Sequence, residues 1–225
     1  MKARLIVMLT LNDQTISNAL DVFEECRDLP VDFWGFKNIG IPEPEMQKLT
    51  KEIKHAKKNA VMEVVTYTEE SCLSAAEFAL ENGIDYIIGS IFSQQARDIL
   101  SPSSIQYFPY VGQVYGSPSI LSGSVNEIIE DAKNLCAVGV SGINLLAYRS
   151  NECEPLLLAQ EVIKKVDSKV IVAGSVDSVA RLKEINAINP WAFTMGGALL
   201  NGKFVKGAGV RANLIKVIEE MDYIK

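Results

Sequence analysis

The side chains able to do chemistry sit at the ends of short apolar runs. Lys37 closes Phe33-Trp34-Gly35-Phe36-Lys37. In a strand, alternation places Phe33, Gly35 and Lys37 on one face and the aromatics Trp34 and Phe36 on the other. With the aromatics packed under helices, Lys37 points inward, as a general base, an anion clamp or a Schiff-base amine. The other reading is a lysine leaning into solvent at a rim. Glu63 interrupts Ala60-Val61-Met62-Glu63-Val64-Val65-Thr66. Turned inward, its carboxylate needs a cation or a hydrogen-bond donor, and Lys37 on the neighbouring strand is available. A structural ion pair and an acid–base dyad both fit.

A further strand carries Asn144, Leu146 and Tyr148 on one face, with Arg149 just beyond. Asn144 could orient a substrate hydroxyl and Tyr148 could donate or relay a proton. Arg149 could hold a carboxylate or phosphate, or be a solvated loop cation. Asp13, in Leu11-Asn12-Asp13-Gln14, reads as the N-cap of a first helix ahead of a catalytic role. Two glycine turns complete the set. Ala173-Gly174-Ser175-Val176 and Met195-Gly196-Gly197-Ala198 each follow an apolar run and open a helix. Backbone amides at such turns, with a short helix aimed by the second, make an anion cradle. The alternative is that the glycines only permit tight turns.

These positions require a particular scaffold. Apolar β-rich runs at 4–10, 32–37, 60–66, 85–89, 106–111, 142–147, 169–173 and 191–195 alternate with amphipathic helical segments. The latter lie near 14–28, 43–58, 69–82, 92–100, 124–138, 153–166, 177–187 and 209–222. Strands alternating with helices imply right-handed crossovers and a parallel sheet. Ser124-Val-Asn-Glu127 reads as a capping box, and Gly83 and Gly139 as C-caps. Pro109 weakens the fifth strand. The expected fold is a single (β/α)8 barrel over 1–225, with an open doubly wound sheet as the alternative. A barrel's ligands bind at the C-terminal ends of its strands. The Gly- and Ser-rich segment 112–124 falls there and could serve as a lid, or be a connector with no role of its own.

Composition narrows the chemistry. The 225 residues carry 22 basic and 28 acidic side chains, a net charge of −6, which argues against nucleic-acid or anionic-membrane binding. No apolar run reaches the length of a membrane span, and Met1-Lys2-Ala3-Arg4 runs directly into a short strand without a leader. A cytoplasmic location is expected. The four cysteines, Cys26, Cys72, Cys136 and Cys153, lack CxxC spacing and read as small core residues. His55 is the only histidine and lies in a basic helical stretch, so no metal is expected. Nor is a cofactor. Catalysis falls to Lys, Asp, Glu, Tyr or backbone amides.

The stretch from Lys169 to Phe204 resembles the seventh and eighth units of the phosphate-binding TIM-barrel superfamily. That group includes the histidine-biosynthesis isomerase and cyclase barrels and the N-acylmannosamine-6-phosphate epimerases. The resemblance implies a phosphate held at Gly174, Ser175, Gly196 and Gly197. Gly35-Phe36-Lys37 is similar to the epimerases' catalytic-lysine context, and Leu145 to Arg149 falls where they carry a strand-six motif. Orotidylate and ketogulonate-phosphate decarboxylases are similar at Asn12 to Thr15. They have an Asp-x-Lys at strand three, where this chain reads Met62-Glu63-Val64. The expectation is an epimerase or isomerase acting on a small phosphorylated substrate, with a homo-oligomer possible. A class I aldolase using Lys37 and a non-catalytic phosphometabolite sensor are the alternatives.

Overall fold

A computed structural model describes residues 3–223; Met1 and Lys2, read above as a start without a leader, lie outside the described residues. Eight parallel strands form the barrel: β1 (Arg4–Met8), β2 (Phe33–Lys37), β3 (Asn59–Val64), β4 (Tyr86–Gly89), β5 (Gln106–Phe108), β6 (Gly142–Leu145), β7 (Lys169–Val172) and β8 (Ala192–Met195). Helices α1 (Ala19–Cys26), α2 (Glu43–His55), α3 (Glu69–Asn82), α4 (Gln94–Leu100), α5 (Val125–Ala137), α6 (Pro155–Lys165) and α7 (Val179–Ile188) link successive strands. The four-residue α8 (Gly197–Leu200) and the terminal α9 (Val210–Tyr223) follow β8. Paired neighbours run β6-β7-β8-β1-β2-β3-β4-β5. The remaining seam, β5 against β6, closes through a parallel bridge between Tyr110 and Asn144. The Asn144 amide donates to the Pro109 carbonyl at 2.9 Å, and the Val111 amide to the Asn144 carbonyl at 3.2 Å. The expected barrel is what forms. Among the described residues no helix is long and apolar enough to cross a membrane.

Two apolar layers follow from the alternation. Ile6, Met8, Phe33, Val61, Ile88, Phe108, Ile171 and Ala192 fill the barrel interior. Trp34, Phe36, Met62, Ile143 and Val172 face outward into the larger core between strands and helices. Trp191, Phe33, Tyr86 and Phe108 plug the lower end, with Trp191 and Phe108 stacked at 5.2 Å. The accessible end is therefore the upper one. Local chemistry sets its boundaries. Ser124 and Glu127 form the expected capping box on α5. Gly83 takes the left-handed conformation at the end of α3, where a side chain would be strained.

Three expected elements differ, each for a local reason. The first helix starts at Ala19, not near 14, because Thr10–Leu11 and Gln14–Thr15 pair as an antiparallel hairpin. Its two-residue loop, Asn12-Asp13, has φ of 50° and 60°, the left-handed pair that matches strand twist in a tight hairpin. The sixth strand ends at Leu145, and Ala147–Arg149 is a 3₁₀ turn instead of strand. The fifth strand stops at Phe108, before the proline that has no amide to donate. The polar segment 112–124 is itself a hairpin, Gln113–Tyr115 against Ile120–Ser122, folded over the mouth.

Candidate active site

Strand β2 delivers Lys37 to the mouth. Its whole run is buried, with Phe33 in the barrel interior and Trp34 and Phe36 in the outer core. The Lys37 backbone is fixed by Thr15, whose hydroxyl donates to the Lys37 carbonyl at 2.9 Å and accepts its amide at 2.8 Å. Parallel register sets Lys37 beside Glu63 on β3, and Nζ lies 3.3 Å from Glu63 Oε2. Glu63 Oε1 accepts the Tyr110 hydroxyl at 2.7 Å. Lys37 is 4% and Glu63 5% exposed, so this charged pair has left bulk water.

Asp13 completes the cluster from the tip of the first hairpin. It caps no helix; the residue before α1 is Asn18, and no side-chain bond caps that helix. Asp13 Oδ1 accepts Lys37 Nζ at 2.8 Å and Arg149 Nη2 at 2.8 Å. Oδ2 accepts Arg149 Nη1 at 2.6 Å and the Ser119 amide at 2.7 Å. Burial alone would push this carboxyl up. The Arg149 hydrogen bonds and the Lys37 charge outweigh it and hold the group well below the usual carboxylate range. Burial, reinforced by Glu63, pushes the Tyr110 hydroxyl well above its ordinary value, so it acts as a donor.

A cavity of about 600 Å³ opens above these groups. Asp13, Lys37, Glu63, Tyr110 and Arg149 line one side. Gly174, Ser175, Gly196 and Gly197 line the β7–β8 side, with Lys203 nearby. Gly174 has φ of 112°, and an added Cβ would press on Arg149 Cγ at 3.3 Å. At Gly196 a Cβ would meet the Met8 carbonyl at 2.8 Å, so the backbone runs where no side chain fits. Asp177 adds a carboxylate to this wall, tied to Arg181 at 3.0 Å.

The structure thus brings Lys37, Glu63, Arg149 and the two glycine turns to one cavity, and leaves Tyr148 and Asn144 off its lining. The 3₁₀ turn breaks strand alternation, so Arg149 swings inward while Tyr148 faces α7 and donates to Glu184 at 2.8 Å. Asn144 faces the interior but is fully buried below the cavity, and neither of its side-chain polar atoms has a hydrogen-bond partner. Asp13 as the hub, Tyr110 and Ser119 are the additions. The signals were an Asn-Asp pair between Thr-Leu and Gln-Thr, a hairpin turn pattern, and the alternation Phe108, Tyr110 continuing across Pro109.

Fold and site together define a (β/α)8 barrel with a charged cavity at its C-terminal mouth. No protein-family model matches the chain, and neither does any curated protein. Solved structures do. Orotidine 5′-phosphate decarboxylase from Pyrococcus horikoshii superposes with a TM-score of 0.71 at 9% identity, over 97% of this chain and 99% of that one. N-acetylmannosamine-6-phosphate 2-epimerase from Clostridium perfringens gives 0.64 at 13%, over 88% and 87%. A mutant tryptophan synthase α-subunit from Pyrococcus furiosus gives 0.68 at 14%, over 100% and 99%. These likenesses establish the shared fold. Two of the three enzymes are named for a phosphorylated substrate.

Proposed function

We propose that the mouth binds a small phosphorylated metabolite, such as a sugar phosphate, and moves a proton at the carbon beside its carbonyl, as an epimerase or isomerase. One observation carries this reading: a buried Lys–Glu pair opens into the same cavity as two glycine turns able to admit an anion. The phosphate would rest on the backbone around Gly174–Ser175 and Gly196–Gly197, with Lys203 contributing charge. The Glu63 carboxylate would take the proton from carbon while the Lys37 ammonium steadies the oxygen that becomes negative. Lys37 would then give a proton to the substrate, and the proton on Glu63 would pass to the Lys37 amine 3.3 Å away, restoring both groups. Tyr110 keeps one Glu63 oxygen occupied, which leaves the other facing Lys37.

The test is proton exchange in D₂O, followed by NMR over a panel of ketose, aldose and N-acylamino-sugar phosphates. The expected result is loss of one carbon-bound proton signal with the wild type. Lys37→Met and Glu63→Gln should each slow that loss by about 10² or more while remaining folded. Exchange undiminished in Lys37→Met would contradict the assignment. Imine chemistry is less suited to the geometry, because Asp13 and Glu63 must both release Nζ before it can attack a carbonyl. Borohydride trapping on Lys37 would mark it. Ligand sensing without turnover is the second reading, favoured because each charge of the cluster already has a partner within it. Tight binding with no exchange would support it.

A further inference from the structure

Asp13 joins parts of the mouth that the chain holds far apart. Lys37 comes from β2, Arg149 from the turn after β6, and Ser119 from the tip of the hairpin after β5. The Asp13 carboxylate accepts four hydrogen bonds from these three residues. A carboxylate offers about four lone-pair sites, so none is left for proton abstraction. Its role is to hold. The tip has two further ties: Arg149 Nη1 donates to the Ser119 carbonyl at 3.3 Å, and Tyr67 OH lies 2.5 Å from Ser119 Oγ. Ser119 is buried although it sits at a hairpin tip, and Pro118, Ser119 and Ile120 form part of the cavity wall.

We propose that Arg149 and the Ser119 amide are positioning residues for Lys37, acting through Asp13, so that seating the hairpin tip and aligning the amine are one event. The inference rests on the reading of Lys37 as a proton-handling group. Arg149 matters as a fork: two parallel bonds fix the plane of the Asp13 carboxylate, and that plane fixes where Oδ1 meets Nζ.

The coupling can be tested on the full chain without a substrate. Acetic anhydride labelling with mass spectrometry reads the accessibility of Lys37 against the other lysines. Hydrogen–deuterium exchange reads the tip at 116–120. In Arg149→Met, the tip should exchange faster and Lys37 should label about tenfold faster, the size typical of coupled neighbours. Arg149→Lys, which keeps the charge and loses the fork, should fall between. Tyr67→Phe loosens the tip without touching the charges and should move both readouts in the same direction by less. It decides the matter if Arg149→Met does not fold. Faster tip exchange with unchanged Lys37 labelling would overturn the proposal, as would no change in either. Absent proton exchange on every sugar phosphate would count against the proposed function and not against this coupling.

Discussion

Buried Lys37, Glu63 and Asp13 and the partly buried Arg149 are two cations and two anions packed into one cluster, and removing one leaves the others unbalanced. Asp13→Asn should cost about 3 kcal/mol at neutral pH, because Lys37 and Arg149 lose their common anion. The pH dependence has a definite sign. The folded-state value of Asp13 is depressed, so its contribution is complete above the ordinary carboxylate range and is lost as pH falls below about 4. Urea titrations of wild type and Asp13→Asn should therefore converge on acidification; a constant gap from pH 7 to 3 would contradict the role given to Asp13. Asn144 presents the opposite case. Its side-chain amide is fully buried and unpartnered, so Asn144→Leu should raise stability by about 1 kcal/mol. A loss of similar size, measured in the same titrations, would show that the amide has a partner in solution.

At the scale of elements, the loops after β1, β5 and β6 decide which side chains meet. Asn12 and Asp13 hold left-handed backbone in a two-residue hairpin loop, so Asn12→Ala should cost about 1 kcal/mol and Asn12→Gly little. Equal stability of the two variants by chemical denaturation would remove that account of the turn. The eight strands were legible because periodicity reports them directly: Phe33 to Lys37 alternates between two environments, and the sheet honours it. The loop conformations were less so. Nothing in strand alternation announces that residues 147–149 coil into a 3₁₀ turn, which exchanges the facings of Tyr148 and Arg149. The Asn12-Asp13 turn was readable in principle, but Asp before a polar run also fits an N-cap. Contacts such as Asp13 to Ser119, 106 residues apart, arise only when the barrel closes.

Across the whole molecule, the cavity has two poles. The β2–β3 side holds the paired charges, and the β7–β8 side offers glycine backbone. Under the proposed function these poles divide the work, one handling the proton and the other the phosphate. Thermal unfolding with inorganic phosphate, alongside a ³¹P NMR titration, separates the two poles. At about 100 times the dissociation constant, phosphate should stabilise the wild type by about 2.7 kcal/mol. Lys37→Met should keep that stabilisation, whereas Gly197→Asp, which sets a carboxylate on the glycine wall, should abolish it. Stabilisation that survives Gly197→Asp and disappears in Lys37→Met would place the anion at the charged pole and contradict the division.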